Sequence, residues 1–358
     1  MLMSTPNLSA SKPLGRSWAR RPGHPAPQPR IPFIEAIVFA MMLVMPVFLP
    51  DYLMSLGTRV LLLSLLALSF DLVWGFAGIM SFGQSVFFGV AGYVVAILAR
   101  DLGISDLALL APAGILVSLC LSLLVGAFLL LGRNPTSMIF VSLGTLTISY
   151  AAERLARGSY SLGGQNGIPS LPVLQLYGYE FSEGPRFYYL AFVALLLSYA
   201  LCRWLVRSQL GLALTGLREN EARIVFFGYK VQHLKALIFA VSGAIAGLAG
   251  SLSAFNDGFV GPNMLGVVMS TQIVLYVLLG GTGTLIGALI GVVAIESASF
   301  WLADSYPQIW PVILGMMLLI VVLFRPAGLI SFMASKRERT GSFKPTIKKG
   351  PQRVAPRG

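Results

Sequence analysis

The sequence predicts an all-α polytopic membrane protein with about ten transmembrane helices. Three observations predict it. Hydrophobic residues make up 56% of the 358 positions and charged residues only 11%, against about 25% charged in an ordinary soluble domain. Apolar runs of about 20 residues recur along the chain, and each is long enough to cross a hydrocarbon core of about 30 Å as a helix. The Lys and Arg residues, which give a net charge of +12, gather at the two termini and in one internal loop. That placement marks a cytoplasmic face rather than a nucleic-acid surface, so no nucleic-acid partner is expected.

Residues 1–30 are rich in Pro, Ser and Arg and contain no apolar run. They read as a disordered cytoplasmic arm. A signal peptide is not expected, because the first apolar run starts near Ile31 and lacks a small-residue cleavage site. The membrane domain covers 31–332, with spans at about 31–50, 59–76, 79–99, 107–131, 135–152, 187–206, 236–254, 266–281, 284–303 and 309–331. With the N-terminus inside, 21 Lys/Arg fall on the cytoplasmic side and five outside. That asymmetry places both termini in the cytoplasm, which requires an even number of spans. Residues 333–358 form a basic cytoplasmic tail. It either rests on anionic lipid headgroups, at about 1 kcal/mol per nearby cation, or is solvated and simply fixes topology.

Two segments interrupt the apolar pattern with glycine. The first runs from Trp74 to Ser85 and includes Gly75, Gly78, Ser81, Gly83 and Gln84. The second runs from Gly280 through Gly283 and Thr284 to Gly287 and Gly291. Paired broken segments in the two halves of a chain point to a translocation pathway, because irregular backbone at membrane depth is tolerated only against protein or a water-filled cavity. The competing reading is close helix packing. Gly283, Gly287 and Gly291 recur every four residues, as do Gly243 and Gly247, and small residues at that spacing let helices approach. Gly280–Thr284 is not a phosphate loop, since the sequence has no Gly-Lys pair. ATP and Mg²⁺, if used, belong to a separate chain.

Few charges fall inside spans. Asp71 lies just before the first glycine break, where it is placed to satisfy backbone donors. Glu296 lies deeper and is the pathway candidate among the acids, since an intramembrane carboxylate faces protein or water. Glu35 and Asp257 lie nearer span ends. Cys120 and Cys202 form no disulfide framework, and His24 and His233 lack companions, so no metal site is expected. The sequence shows no nucleophile–base pair or cofactor motif, which argues against an enzyme.

The largest internal polar segment is 207–235, RSQLGLALTGLRENEARIVFFGYKVQHLK. It reads as a short amphipathic helix, a turn at Gly228, and the start of the next span. Arg218, Glu219, Asn220, Glu221, Ala222 and Arg223 offer polar contacts to a soluble partner, with Leu217, Ile224 and Val225 as an apolar side. The plainer alternative is a helix lying on headgroups.

Here the chain resembles a family. FDLVWGFAGIMSFGQSVFFGVAGY at 70–93, SLGGQNGIP at 161–169, GLRENE at 216–221, FGYKVQHLKALIFAVSGAIAGLAG at 227–250, LGGTGTLIGALIG at 279–291 and LFRPAGL at 323–329 look like the permease subunits of branched-chain amino-acid ABC importers, the LivM type, and their relatives in urea import. The resemblance covers about 32–332. It implies a type II ABC importer permease fold and a second permease subunit. It also implies two cytoplasmic ATPase subunits, a periplasmic solute-binding protein, a bacterial inner-membrane location and alternating access driven by ATP. By the same resemblance, about 215–226 is the coupling helix. The usual Glu-Ala-Ala-x-x-x-Gly pattern is altered, with Arg223 in place of the second alanine and Gly228 one residue late. Branched-chain amino acids, urea and short amides stay open as solutes. An ATP-independent secondary transporter or channel is the alternative from another class, disfavoured by the scarcity of charged groups in the spans.

Overall fold

The computed structural model describes residues 30–48, 50–131, 138–176, 178–181, 184–305 and 328–332, with isolated positions between 312 and 319. The expected N-terminal arm, the basic tail and most of the expected span at 309–331 lie outside the described residues.

The helices are α1 (Arg30–Phe48), α2 (Asp51–Asp71), α3 (Gln84–Leu102), α4 (Leu107–Leu130), α5 (Met138–Gly158), α6 (Pro185–Arg207), α7 (Gln209–Glu219), α8 (Glu221–Phe226), α9 (Val231–Asp257), α10 (Val267–Gly280) and α11 (Ile286–Ser305). Five helical segments among the described residues are long and apolar enough to cross a bilayer: Leu53–Phe76, Gln84–Leu102, Leu107–Leu130, Pro185–Arg207 and Val231–Asp257. α1, α10 and α11 contribute shorter apolar stretches. At 14 residues, α10 rises only about 21 Å, less than the hydrocarbon core. The expected span at 266–281 is therefore a part-span that relies on its neighbours.

α9 sits at the centre, packed against α2, α3 and α4. The Val231–Asp257 segment is 78% buried, whereas that of α4 is 33% buried. The outer face of α4 carries Leu116, Leu124 and Phe128, all exposed, and that of α6 carries Leu197 and Trp204. Apolar side chains with no protein neighbour at the rim of such a bundle meet lipid tails.

The α4–α9 contact follows from small residues on both helices. A Cβ on Gly243 would strike Ser122, and one on Gly247 would strike Ser118 and lie 2.9 Å from the Gly114 carbonyl. Ser118 Oγ also donates to the Phe87 carbonyl at 2.8 Å, tying α4 to α3. α11 packs on α10 in the same way: a Cβ on Gly287 would lie 2.6 Å from the Gly281 carbonyl, and one on Gly291 would land on the Tyr276 carbonyl. Gly283 departs from the expected every-four stripe. It precedes α11, and its backbone is left-handed with φ 76°, so it belongs to a turn rather than to a helix contact.

Several polar groups inside the bundle are paired, whereas the buried Tyr93 and Tyr199 hydroxyls have no partner among the described residues. Glu35 of α1 and Arg203 of α6 form an ion pair, and Tyr188 Oη of α6 donates to the Met42 carbonyl at 2.6 Å. Beyond α5 the chain forms two small antiparallel sheets. β2 (Leu174–Leu176) pairs with β3 (Tyr179–Phe181), and β1 (Ile168–Pro169) pairs with β4 (Phe259–Val260). The second pairing joins this cap to the C-terminal end of α9. The 207–230 segment sits at the other end of α9, whose 27 residues rise about 40 Å.

Candidate coupling node and glycine-broken core

α2 does not stop cleanly. After Asp71 the backbone loosens into a π-helical turn over Leu72–Phe76, a form that recurs at functional sites. Gly78 then turns the chain through φ 73°, and it runs irregularly to α3. Glycine is needed at Gly75 for closeness, since a Cβ there would lie 2.5 Å from the Gly283 nitrogen. The irregular stretch is satisfied by hydroxyls of neighbouring helices. Ser142 Oγ donates to the Met80 carbonyl at 2.7 Å, Thr145 Oγ1 accepts from the Phe82 amide at 3.0 Å, and Ser270 Oγ donates to the Phe82 carbonyl at 2.6 Å. Ser81 Oγ accepts from the Gly83 amide at 3.1 Å. Gln84 Nε2 donates to Ser242 Oγ at 2.9 Å. Ser81 and Gln84 are 1% exposed, so in this conformation they are sealed inside the bundle.

The second break faces the first. Between α10 and α11 the backbone takes positive φ at Gly281, Gly283 and Leu285, the last an uncommon conformation for a side-chain-bearing residue. Asp71, fully buried, holds this turn. Its Oδ1 accepts from the Gly283 amide at 2.6 Å and its Oδ2 from the Leu285 amide at 2.9 Å. Amides at the start of α11 have no intrahelical partner, so a carboxylate there supplies acceptors to the positive end of a helix.

The polar 207–235 segment reaches the same point. Arg218 Nη1 donates to the Gly75 carbonyl, and a Cβ on Gly283 would lie 3.0 Å from that Nη1. Arg218 therefore bonds the segment to the first glycine break and lies beside the second. Around it, Ser208 caps α7 by accepting from the Leu210 amide at 3.2 Å. Asn220 caps α8 by accepting from the Arg223 amide at 3.2 Å, a standard N-cap role. Gly228 closes the turn with φ 82°. Glu219 and Arg223 are exposed, and Ala222 lies in α8.

Glu221 is turned inward. Both of its carboxylate oxygens accept from Lys235 Nζ at 2.9 Å, and the Lys235 side chain is 6% exposed. The ammonium is buried but the Glu221 side chain is 39% exposed, so loss of the partner costs less than the ~3–5 kcal/mol of a fully buried pair. Glu221→Lys is still expected to lower the yield of folded protein, and the swap Glu221→Lys with Lys235→Glu to restore much of it. Fluorescence-detected size exclusion of tagged variants measures this; equal yields for the single variant would mean the pair is unimportant.

The segment also exposes large apolar side chains: Phe226 is 91% and Phe227 77% exposed, with Val225 and Tyr229 beside them. Sequence reasoning named the charged residues here and, of this tip, only Val225, grouped with Leu217 and Ile224 as an apolar side. The structure buries Leu217 and Ile224 and exposes Val225, and the two phenylalanines were passed over. The adjacent phenylalanines after a charged helical turn were the available signal. Glu296 is 5% exposed and accepts from Tyr276 Oη and from Gln272 Nε2 at 3.3 Å, with Arg59 Nε at 3.8 Å. It sits in a network between α10, α11 and α2, away from the Asp71 node. Among the described residues, no group of His, Cys, Asp and Glu is arranged to hold a metal.

Comparison with known proteins agrees with this architecture. Residues 52–322 match the family model described as branched-chain amino acid transport system / permease component. The chain is 27% identical over 299 residues to the high-affinity branched-chain amino acid transport system permease protein LivM of Salmonella typhimurium strain LT2, an alignment covering 77% of this chain and 69% of that protein. It is 25% identical to LivM of Escherichia coli K12 with the same coverage. It is 24% identical over 283 residues to the permease protein BraD of Pseudomonas aeruginosa PAO1, covering 75% and 91%. No solved structure matches the chain. The matched region takes in both glycine breaks, Asp71 and the 207–235 segment, and this multi-pass membrane protein belongs to the family of branched-chain amino acid transport system permease components.

Proposed function

We propose that the chain is one of two permease subunits of an inner-membrane ABC importer for branched-chain amino acids, working by alternating access. Cytoplasmic ATPase subunits bind ATP and Mg²⁺, and a periplasmic protein delivers the solute. α7 and α8 receive the ATPase motion, and Arg218 passes it to the facing glycine breaks. The Arg218–Gly75 hydrogen bond carries this reading, because it joins a surface segment to the first helix discontinuity, which Asp71 ties to the second. The relatives, permeases of branched-chain amino acid transport systems, supply the solute class.

The exposed Val225–Phe227 tip is the docking knob in this scheme. Large aromatics in a partner's pocket dominate interface energetics, with losses of about 2 kcal/mol or more on truncation. Phe226→Glu is expected to reduce co-purification of the ATPase at least about tenfold while this chain still inserts and folds. Undiminished co-purification would remove the tip from the interface.

Both termini and α7–α8 are cytoplasmic in this scheme, with the small sheets on the opposite side. Reporter fusions at residue 170 should read periplasmic, and fusions at 225 and 345 cytoplasmic. A cytoplasmic signal at 170 would overturn the topology.

A further inference from the structure

At the end of the bundle remote from α7–α8, α2, α3, α10 and the end of α9 enclose an open cavity of about 230 Å³. It is smaller than the pockets that hold drug-sized ligands, so it suits a small solute. Arg59 of α2 and Asp257 of α9 both line it. They carry opposite charges, yet they are not paired with each other. Arg59 is half exposed, and its approach to Glu296 is 3.8 Å, too long for a hydrogen bond. Its Nε thus faces Glu296 in a long ion pair, and among the described residues no hydrogen bond engages its Nη groups. Asp257 accepts from Asn256 Nδ2 at 3.0 Å and also interacts with the Ser253 hydroxyl, but among the described residues it forms no ion pair, so its charge is not matched by a contacting cation. Between them the wall is mixed: Leu63, Phe88 and Met269 give it an apolar part, and Ser253, Asn263 and Gln272 add polar groups.

We infer that this cavity is an entry site for a zwitterionic α-amino acid with an aliphatic side chain. Arg59 takes the carboxylate, in the bidentate geometry guanidinium favours. Asp257 takes the ammonium, and the apolar part of the wall takes the side chain. Urea, uncharged and without an aliphatic part, matches none of these three features. Glu296 holds Arg59 from behind and connects through Tyr276 and Gln272 to α10 and α11, so occupancy at Arg59 reaches the helices that flank the second glycine break. The inference rests on the proposed permease function and adds where the solute first contacts this chain.

The test uses the complete importer in nanodiscs with its binding protein, ATPase subunits and both permease chains. A diazirine-bearing leucine analogue is added, irradiated, and the labelled peptides of this chain are mapped by mass spectrometry. Label is expected on residues 59–63, 88 and 264–269. Excess leucine should suppress it about tenfold or more, while 4-methylpentanoate and isopentylamine, each lacking one charge, compete at least about tenfold less well. Asp257→Asn and Arg59→Gln should each lose that label while the binding protein labels normally. If either variant is misfolded by size exclusion, the competition in the unaltered complex decides. ATP-driven leucine uptake with label confined to other parts of this chain, or with equal competition by the one-charge analogues, overturns the site. Absence of ATP-driven leucine uptake by the unaltered complex overturns the underlying function instead.

Discussion

Replacing Gly291 with leucine is expected to abolish accumulation of folded protein. In α11 this residue lies against the α10 backbone: a Cβ would fall on the Tyr276 carbonyl and 2.9 Å from the Gly280 nitrogen. Neither neighbour is the flexible end of a side chain, so the helices themselves must part. Ordinary overpacking costs about 1–3 kcal/mol, and a forced backbone separation belongs with the exceptional losses above about 4–5 kcal/mol. Parting α10 from α11 also disturbs the Asp71-held turn and the Glu296 network that bridge them. Gly158, at the end of α5, is the internal control, since a Cβ there meets nothing within 4 Å. Gly158→Leu should leave yield and melting behaviour nearly unchanged. Thermal stability in detergent by size exclusion separates the two. Equal stability of both variants would show that α10 and α11 are not held by backbone proximity.

Much of this was legible from sequence, for identifiable reasons. Long apolar runs have few ways to satisfy their backbone in lipid, so α2, α4, α6 and α9 appear close to where hydropathy puts them. The two glycine-rich breaks were visible as interruptions of that pattern, and Asp71 beside one of them was read as a backbone acceptor. What sequence did not show is which distant segments meet. The Asp71 carboxylate reaches Gly283 and Leu285, more than two hundred residues away, and no local spacing encodes that. Glu221 looked like a free surface acid because Lys235 sits fourteen residues on, inside the next apolar run. Gly283 looked like part of a helical stripe because its spacing to Gly287 is four, yet a left-handed φ places it in a turn. Asp257 was read as a charge near a span end, and Arg59 was only counted among the cations outside. Only the fold brings them to one cavity.

Arg218→Ala is expected to uncouple hydrolysis from transport. The guanidinium is anchored on the Gly75 carbonyl, beside two glycine breaks that are joined by Asp71, and it belongs to the segment proposed above to dock the ATPase. A hydrogen bond from a charged donor contributes about 1.5–3 kcal/mol, which corresponds to a factor of about 10 to 150 in the balance between two conformations. A contact made in one state and not in the other biases that balance by its full worth. Removing it should leave the ATPase bound and hydrolysing while solute moved per ATP falls about tenfold or more. Glu219→Ala, one residue away and exposed, should be silent. Arg218→Lys keeps the charge but gives up the fork geometry, so partial recovery is expected. Three readouts in reconstituted vesicles decide the matter: ATPase co-purification, hydrolysis rate and uptake. Loss of co-purification together with activity would make Arg218 a docking residue. Wild-type uptake per ATP in the alanine variant would mean that the Gly75 contact transmits nothing. The uncoupled outcome alone fits a side chain that carries motion from α7 to the broken helices, because there the ATPase still docks and turns over while the breaks no longer follow it.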